Sequence, residues 1–208
     1  MGAQTQSQRQ FVMQRYQDAN DMYECNPADE FPPFHHGTHY SCMGFVFWYL
    51  IRMEPFTSLH VWLQDGKFDH PDRLFNSIES TYRGSVSNHN DVKELIPEFF
   101  YLPEFLENLN ELDLGVSQNG KRLGPVQLPP WSPTAHEFVR LNREALESDY
   151  VSSNLHHWID LIFGYSQRPP MFKGHQAAVD ACNVYFHLTY SDAVNLGTLT
   201  TYHVNFLV

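Results

Sequence analysis

The chain is short of positive charge. Thirteen Lys and Arg stand against 24 Asp and Glu in 208 residues, a formal net charge of −11. No Lys/Arg cluster occurs, so the basic footprint of a nucleic-acid binder is missing. The same lack disfavours direct binding to anionic lipid. Neutral or basic protein surfaces are the partners that suit it. There is no run of 18 apolar residues, so no membrane-spanning helix is expected. The opening MGAQTQSQRQ has no apolar core of a secretory signal, and Gln6 stands where a myristoylation signal wants Ser or Thr. Cysteine is scarce: Cys25, Cys42 and Cys182 lie far apart, odd in number and without a C-x-x-C. That pattern predicts buried free thiols in a reducing compartment, not a disulfide framework. Enzyme signatures are absent too: no H-E-x-x-H, no G-x-S-x-G elbow, no phosphate loop and no G-x-G-x-x-G.

What is present is a folding composition. Charged residues are only 18%, against 42% hydrophobic and 15% aromatic, the reverse of a disordered chain. No repeat, low-complexity tract or Gly/Ser linker divides it, so it reads as one domain. Prolines, paired at Pro32-Pro33, Pro129-Pro130 and Pro169-Pro170, punctuate it into short elements.

Residues 7–23 read as a helix. Residues 41–52, SCMGFVFWYLIR, are apolar nearly all round and fit a buried helix or strand. Ser41 as N-cap and Arg52 in the last turn favour helix. Residues 71–83 look helical from Pro71 onward, with Leu74, Phe75 and Ile78 on one stripe. Asp91 and Glu94 form a D-x-x-E capping box that should open another helix, kinked or stopped by Pro97. Thr134 and Glu137 repeat the device before a helix that places Phe138, Leu141 and Ala145 on one face.

The clearest helix is 150–163. Val151, Leu155, Trp158, Ile159 and Ile162 share a stripe there, Gly164 is a natural stop, and Trp158 reads as core. A short helix over 175–184 carries Ala178, Val179 and Cys182. The stretch 101–131 is long, rich in Leu and Phe, yet studded with Pro, Asn and Gly. It predicts extended chain packed into the core of a mainly α domain. Trp131 either closes that core or stands out as a binding anchor.

Two groups of residues could carry chemistry. His35, His36 and His39 form H-H-x-x-H, with Asp69, His70 and Asp72, and then His156, His157 and Asp160, downstream. On paper they assemble a zinc-type hydrolase, although adjacent histidines rarely both ligate one ion from a rigid element. The other reading has these histidines capping turns and bonding backbone in a crowded core. Glu94 and Glu98, with Glu104 nearby, could form an acid/base pair on one helix face. Pro97 disturbs that geometry, and Glu94 has a competing role as capping partner.

A family resemblance rests on a set of strings in fixed order: FHHGTHYS (34–41), LIRMEPFT (50–57), DGKFDHPDRLFNSI (65–78), DVKELIPEFFYLPEFLEN (91–108), LPPW (128–131), REALESDYVSSNLHHWIDLIFGY (143–165) and NVYFHLTY (183–190). Together they resemble the BEACH domain, from Gly2 to about Leu196. MGAQT and YLIRMEPFT are most similar to the WD-repeat and FYVE-containing, autophagy-linked members. FDHPDR and FVRLNREALES lean toward neurobeachin and its relatives.

The resemblance implies helices at the periphery around a core of extended segments with little regular structure. It makes His35, His36 and His39 part of a structural signature. It implies a non-enzymatic scaffold without a cofactor, cytoplasmic and peripheral to endomembranes. Such a scaffold engages a PH-like module and other proteins in vesicle traffic, lysosome biology or selective autophagy, with membrane attachment supplied elsewhere in a larger protein. There are departures from the family pattern. SQRPPMFKGHQ follows IFGY where KQ-x-G is usual, NVYFH replaces NVFH, Tyr82 stands in place of Trp, and GTLTTYHVNFLV ends the chain. The expectation is a partial BEACH domain over 1–196, truncated at both ends, with a divergent tail over 197–208.

Overall fold

The computed structural model describes residues 3, 5–28, 31–167 and 175–190. Residues 168–174 of the insertion after Gln167 and the tail over 197–208 lie outside them. Seven α-helices and several 3-10 turns are present among the described residues, and no strand is: α1 (Gln6–Cys25), α2 (Met43–Tyr49), α3 (Phe56–Leu63), α4 (Ile78–Ser87), α5 (Ala135–Leu146), α6 (Asp149–Ile162) and α7 (Gln176–Asp180). The fold is mainly α, as expected. The residues gather into two compact units, interleaved along the chain. The first draws on 1–40, 85–93 and 154–208, the second on 41–84 and 94–153.

In the first unit α1 starts at a reciprocal cap. The Thr5 hydroxyl accepts from the Gln8 backbone N–H (3.2 Å), and the Gln8 side chain accepts from the Thr5 N–H (3.0 Å). The helix is polar on most sides and is laced by i,i+4 bonds, Gln14 to Asp18, Gln17 to Asp21 and Asn20 to Glu24, each 2.8 Å. Gln8, buried, donates to the Ser85 carbonyl at 3.1 Å. Ala178, Val179 and Val184 form the small apolar core, with Tyr16 and Phe34 packed on it. Helix α6 ends where Phe163 and Gly164 both donate to the Ile159 carbonyl (2.9 and 3.0 Å). Gly164 is required there, because a Cβ would sit 2.5 Å from Asp160 Cα. The apolar stripe of α6 is not core. Only Ile162 is buried, and Trp158 is 46% exposed, so the 3.6-residue period marks a face without saying what covers it.

The second unit is built on an aromatic centre. Tyr49 meets Phe75 and Phe99 edge-on, both at 5.1 Å, and Phe99 meets Phe105 at 4.9 Å. Phe138 and Val139 of α5 close the same cluster. Thr134 caps α5 as expected, accepting from the Glu137 N–H at 3.1 Å. Ala145, placed on the apolar face by the sequence, is exposed; the buried face is Ala135, Phe138 and Val139.

Three other expectations fail, two of them in this unit. Helix α2 runs only over Met43–Tyr49 with Cys42 as its N-cap residue, so Ser41 does not cap it and Arg52 is not in its last turn. The stretch 71–83 is not one helix. A 3-10 turn at Pro71–Arg73 gives way to extended chain that buries Leu74 and Phe75. That chain pairs with residue 127, Ile78 N–H to Gln127 O at 3.0 Å and Gln127 N–H to Asn76 O at 2.8 Å, before α4 begins. Asp91 opens no helix either, although it lies in the first unit. Its carboxylate takes the Lys93 backbone N–H (3.1 Å) and ammonium (2.7 Å), and Pro97 starts a 3-10 turn.

The stretch 101–131 is extended chain and tight turns, with Phe105, Leu106, Leu114, Leu123 and Val126 buried. Arg52 holds it. Its side chain is fully buried, and its guanidinium donates to the carbonyls of Gly124 (2.9 Å) and Phe75 (2.7 Å). Asn110 returns a bond to the Arg52 carbonyl at 3.2 Å. No carboxylate pairs with Arg52 among the described residues, and burial pulls its pKa down to about 10. Segments that lack a ladder of their own are tied by one long cation.

Candidate functional site

The histidine cluster is a structural knot in the first unit. His35 is 0% and His36 2% exposed. His35 stacks on Tyr16 at 4.5 Å, and its Nδ1 accepts the Val184 backbone N–H at 3.2 Å. A nitrogen that accepts carries no proton, so the proton sits on Nε2. His36 Nε2 lies 3.1 Å from the Cys182 carbonyl, to which it can only donate. The ring lone pair that His35 would offer a metal is therefore already committed. Burial first, then the neighbouring His36, pushes His35 down to about 3. Burial also takes His36 down to about 4, against the bond to Cys182. His39 is half-buried beside Tyr40 (4.3 Å) and Tyr185 (4.5 Å), and its Nε2 faces the Gln167 amide at 3.3 Å.

The hydrolase reading fails on its other members as well. Asp69 pairs with Arg73 at 2.7 Å, His70 Nδ1 accepts the Asp72 backbone N–H at 3.4 Å, and the Asp72 carboxylate accepts the Gln118 backbone N–H at 3.0 Å. The His156 and His157 rings lie tilted against each other, centroids 3.9 Å apart, on the exposed surface of α6. No group of three or more His, Cys, Asp or Glu is arranged to hold a metal among the described residues. The Glu94–Glu98 pair does not share a helix face, because Glu94 lies in extended chain and Glu98 in a 3-10 turn, accepting from the Tyr101 hydroxyl at 3.2 Å. Of the cysteines only Cys182 is buried; Cys25 is exposed and Cys42 intermediate, all three as free thiols.

A different surface emerges in the second unit. Between Glu94 and Asp113 the chain carries six acids and no Lys, Arg or His. Ile96, Phe99, Pro103, Phe105 and Leu106 point into the core and fix this segment. Leu95, Tyr101 and Leu109 point out, 56%, 57% and 67% exposed. Asp113 is neutralised by Arg122 at 2.7 Å. Glu98, Glu104, Glu107 and Glu111 make no ion pair among the described residues. The result is an acidic ridge with apolar studs, its Glu111 exposed and its Glu98, Glu104 and Glu107 half-buried, anchored so that little order is lost when something docks. Trp131 is also outward, 58% exposed and stacked on Phe138 at 5.6 Å, so of its two readings the one that has it close the core fails. The ridge was missed because its acids were judged in pairs, as catalysts. The legible signal is the twenty-residue absence of any base.

The Beige/BEACH domain model matches residues 1–205. The chain belongs to the BEACH domain family. It is 55% identical to BEACH domain-containing protein B of Arabidopsis thaliana over 183 residues, which is 88% of this chain and 7% of that protein. It is 51% identical to Protein SPIRRIG of Arabidopsis thaliana over 203 residues, 96% of this chain and 5% of that one. BEACH domain-containing protein lvsD of Dictyostelium discoideum is 55% identical over 171 residues, 82% of this chain and 6% of that protein. The chain thus spans only 5–7% of the length of these relatives. No helix among the described residues is long and apolar enough to cross a membrane.

Proposed function

We propose that this BEACH chain is a non-enzymatic protein-interaction module of a larger scaffold in vesicle and membrane traffic or selective autophagy. It works in the cytoplasm, peripheral to endomembranes, and engages a PH-like module and other proteins. Other parts of the larger protein supply membrane attachment, and no nucleic acid is bound. One observation carries the reading: more than four-fifths of the chain matches a segment that is 5–7% of each relative, so the fold recurs as one small module in very long chains. The acidic ridge over 94–113 supports it, since a net charge of −11 with exposed Leu95, Tyr101 and Leu109 suits a basic, partly apolar protein face.

The test is a calorimetric titration with a PH-like module taken from a family member, at about 50 and 300 mM salt, spanning strong to weak screening. Saturable binding that weakens with salt is expected. Absence of heat at both salts, or affinity indifferent to salt, overturns the reading.

A further inference from the structure

Residues 34–36 and 182–186 are held together by reciprocal bonds in the first unit. The backbone N–H groups of His35 and His36 both donate to the Val184 carbonyl (2.8 and 3.1 Å), and the Phe186 N–H donates to the His36 carbonyl (2.9 Å). Each imidazole closes the same junction from its side chain, His35 through Val184 N–H and His36 through the Cys182 carbonyl. His35 closes the junction only as the neutral Nε2–H tautomer, and His36 needs its Nε2–H to donate. A second proton on His35 would land on Nδ1, directly against the Val184 N–H. The Nε2–H of that ring is already buried without an acceptor, so the charged ring would have no partner on either side.

The charges around the pair repel such a proton; only the Cys182 and His89 carbonyls, both acting on His36, favour one. From α1, Arg9 and Arg15 act on His35, and Arg15 acts on His36; both are cations. Tyr16 contributes a ring face. The 85–93 stretch contributes the His89 backbone. From the 175–190 arm come the Cys182 thiol, beside Arg9 and Asp180, and the Tyr185 and Tyr190 rings, which also flank His39. No carboxylate acts on either imidazole among the described residues.

We propose that the His35–His36 pair is an acid-released clamp: protonation of the two rings detaches 182–186 from 34–36 and opens the first unit. This rests on the junction's geometry and not on the scaffold role. The sign is set by which state holds more protons. The opened rings titrate near the ordinary histidine value of about 6.5, and the closed rings well below it. Acid between those limits therefore favours opening. Two protons taken up together contribute a factor approaching ~100 per pH unit to the opening constant, beside what His39 and His187, also held down by burial, add.

The experiment is hydrogen exchange with mass-spectrometric readout on the full chain from pH 6.5 to 4.5, corrected for the intrinsic pH dependence of exchange. Peptides covering 34–36 and 182–186 are compared with those covering 99–106 and 135–139 in the second unit. There His60, also held down by burial with Asp69 opposing, limits any change to about tenfold per unit. His35→Gln and His36→Gln should each remove about tenfold of the steepness at the clamp. A clamp whose protection is flat with pH, or falls no more steeply than that of the second unit, overturns the proposal. That wild-type comparison stands even if a variant fails to fold.

Discussion

Arg52→Met is the sharpest test of how the irregular interior is held. The Met stem follows the Arg stem closely but carries no donor. The change deletes two charge-assisted bonds, to Gly124 O at 2.9 Å and Phe75 O at 2.7 Å, and leaves both carbonyls short of a partner. At about 1.5–3 kcal/mol per bond to a charged donor, the gross loss is about 3–6 kcal/mol. Part of that returns because a buried cation no longer has to be desolvated. The net cost should be about 3 kcal/mol. For a chain of this length that lowers Tm by roughly 6–12 °C. Urea unfolding followed by the fluorescence of Trp48, 5.0 Å from the Phe75 ring, reads it directly. Arg52→Lys keeps the charge but reaches one carbonyl at a time, so it should fall between Met and wild type. Arg52→Met within about 1 kcal/mol of wild type would refute the reasoning, since the bonds would then return no more than burial of the charge costs.

Three further outcomes are expected. Gly164→Ala should cost about 1–3 kcal/mol by thermal melt, because its Cβ would come within 2.5 Å of Asp160 Cα; an unchanged Tm would contradict the tight end of α6. Trp158→Ala should cost about 1–2 kcal/mol, against about 3–5 for Phe105→Ala. Trp158 is 46% and Phe105 0% exposed, so equal losses would place Trp158 back in a core. The melt should be indifferent to EDTA and to added zinc, because His35 Nδ1 is committed to Val184 N–H; a transition that collapses with EDTA would restore the histidines as ligands.

Local signals in the sequence were read correctly where a single element satisfied its own backbone. The polar helix over 7–23, the Thr134 cap and the Gly164 stop each depend on neighbours a few residues away. Expectations failed where a distant segment supplied the bond. Leu74 and Phe75 leave the helical register because residue 127 pairs with 76 and 78. Asp91 gives its carboxylate to Lys93 instead of to a helix terminus. Arg52 looked like a helix-end charge and is the buried tie of three segments. Burial was the least legible quantity: the α6 stripe has the period of a core face, yet Leu155, Trp158 and Ile159 are all exposed. The histidines were legible as a structural signature through the family resemblance, and their tautomers only through Val184 and Cys182.

The central claim is that a defined surface, and not bulk negative charge, engages protein. The measurement that tests it most directly compares two variants in the titration with the PH-like module. One carries Glu98→Gln, Glu104→Gln, Glu107→Gln and Glu111→Gln on the ridge. The other carries Asp18→Asn, Asp21→Asn and Glu24→Gln on α1. Each ridge carboxylate contributes a few tenths of a kcal/mol, so the ridge variant should bind about tenfold more weakly, and the α1 variant should match wild type. Equal weakening in both variants would contradict the account.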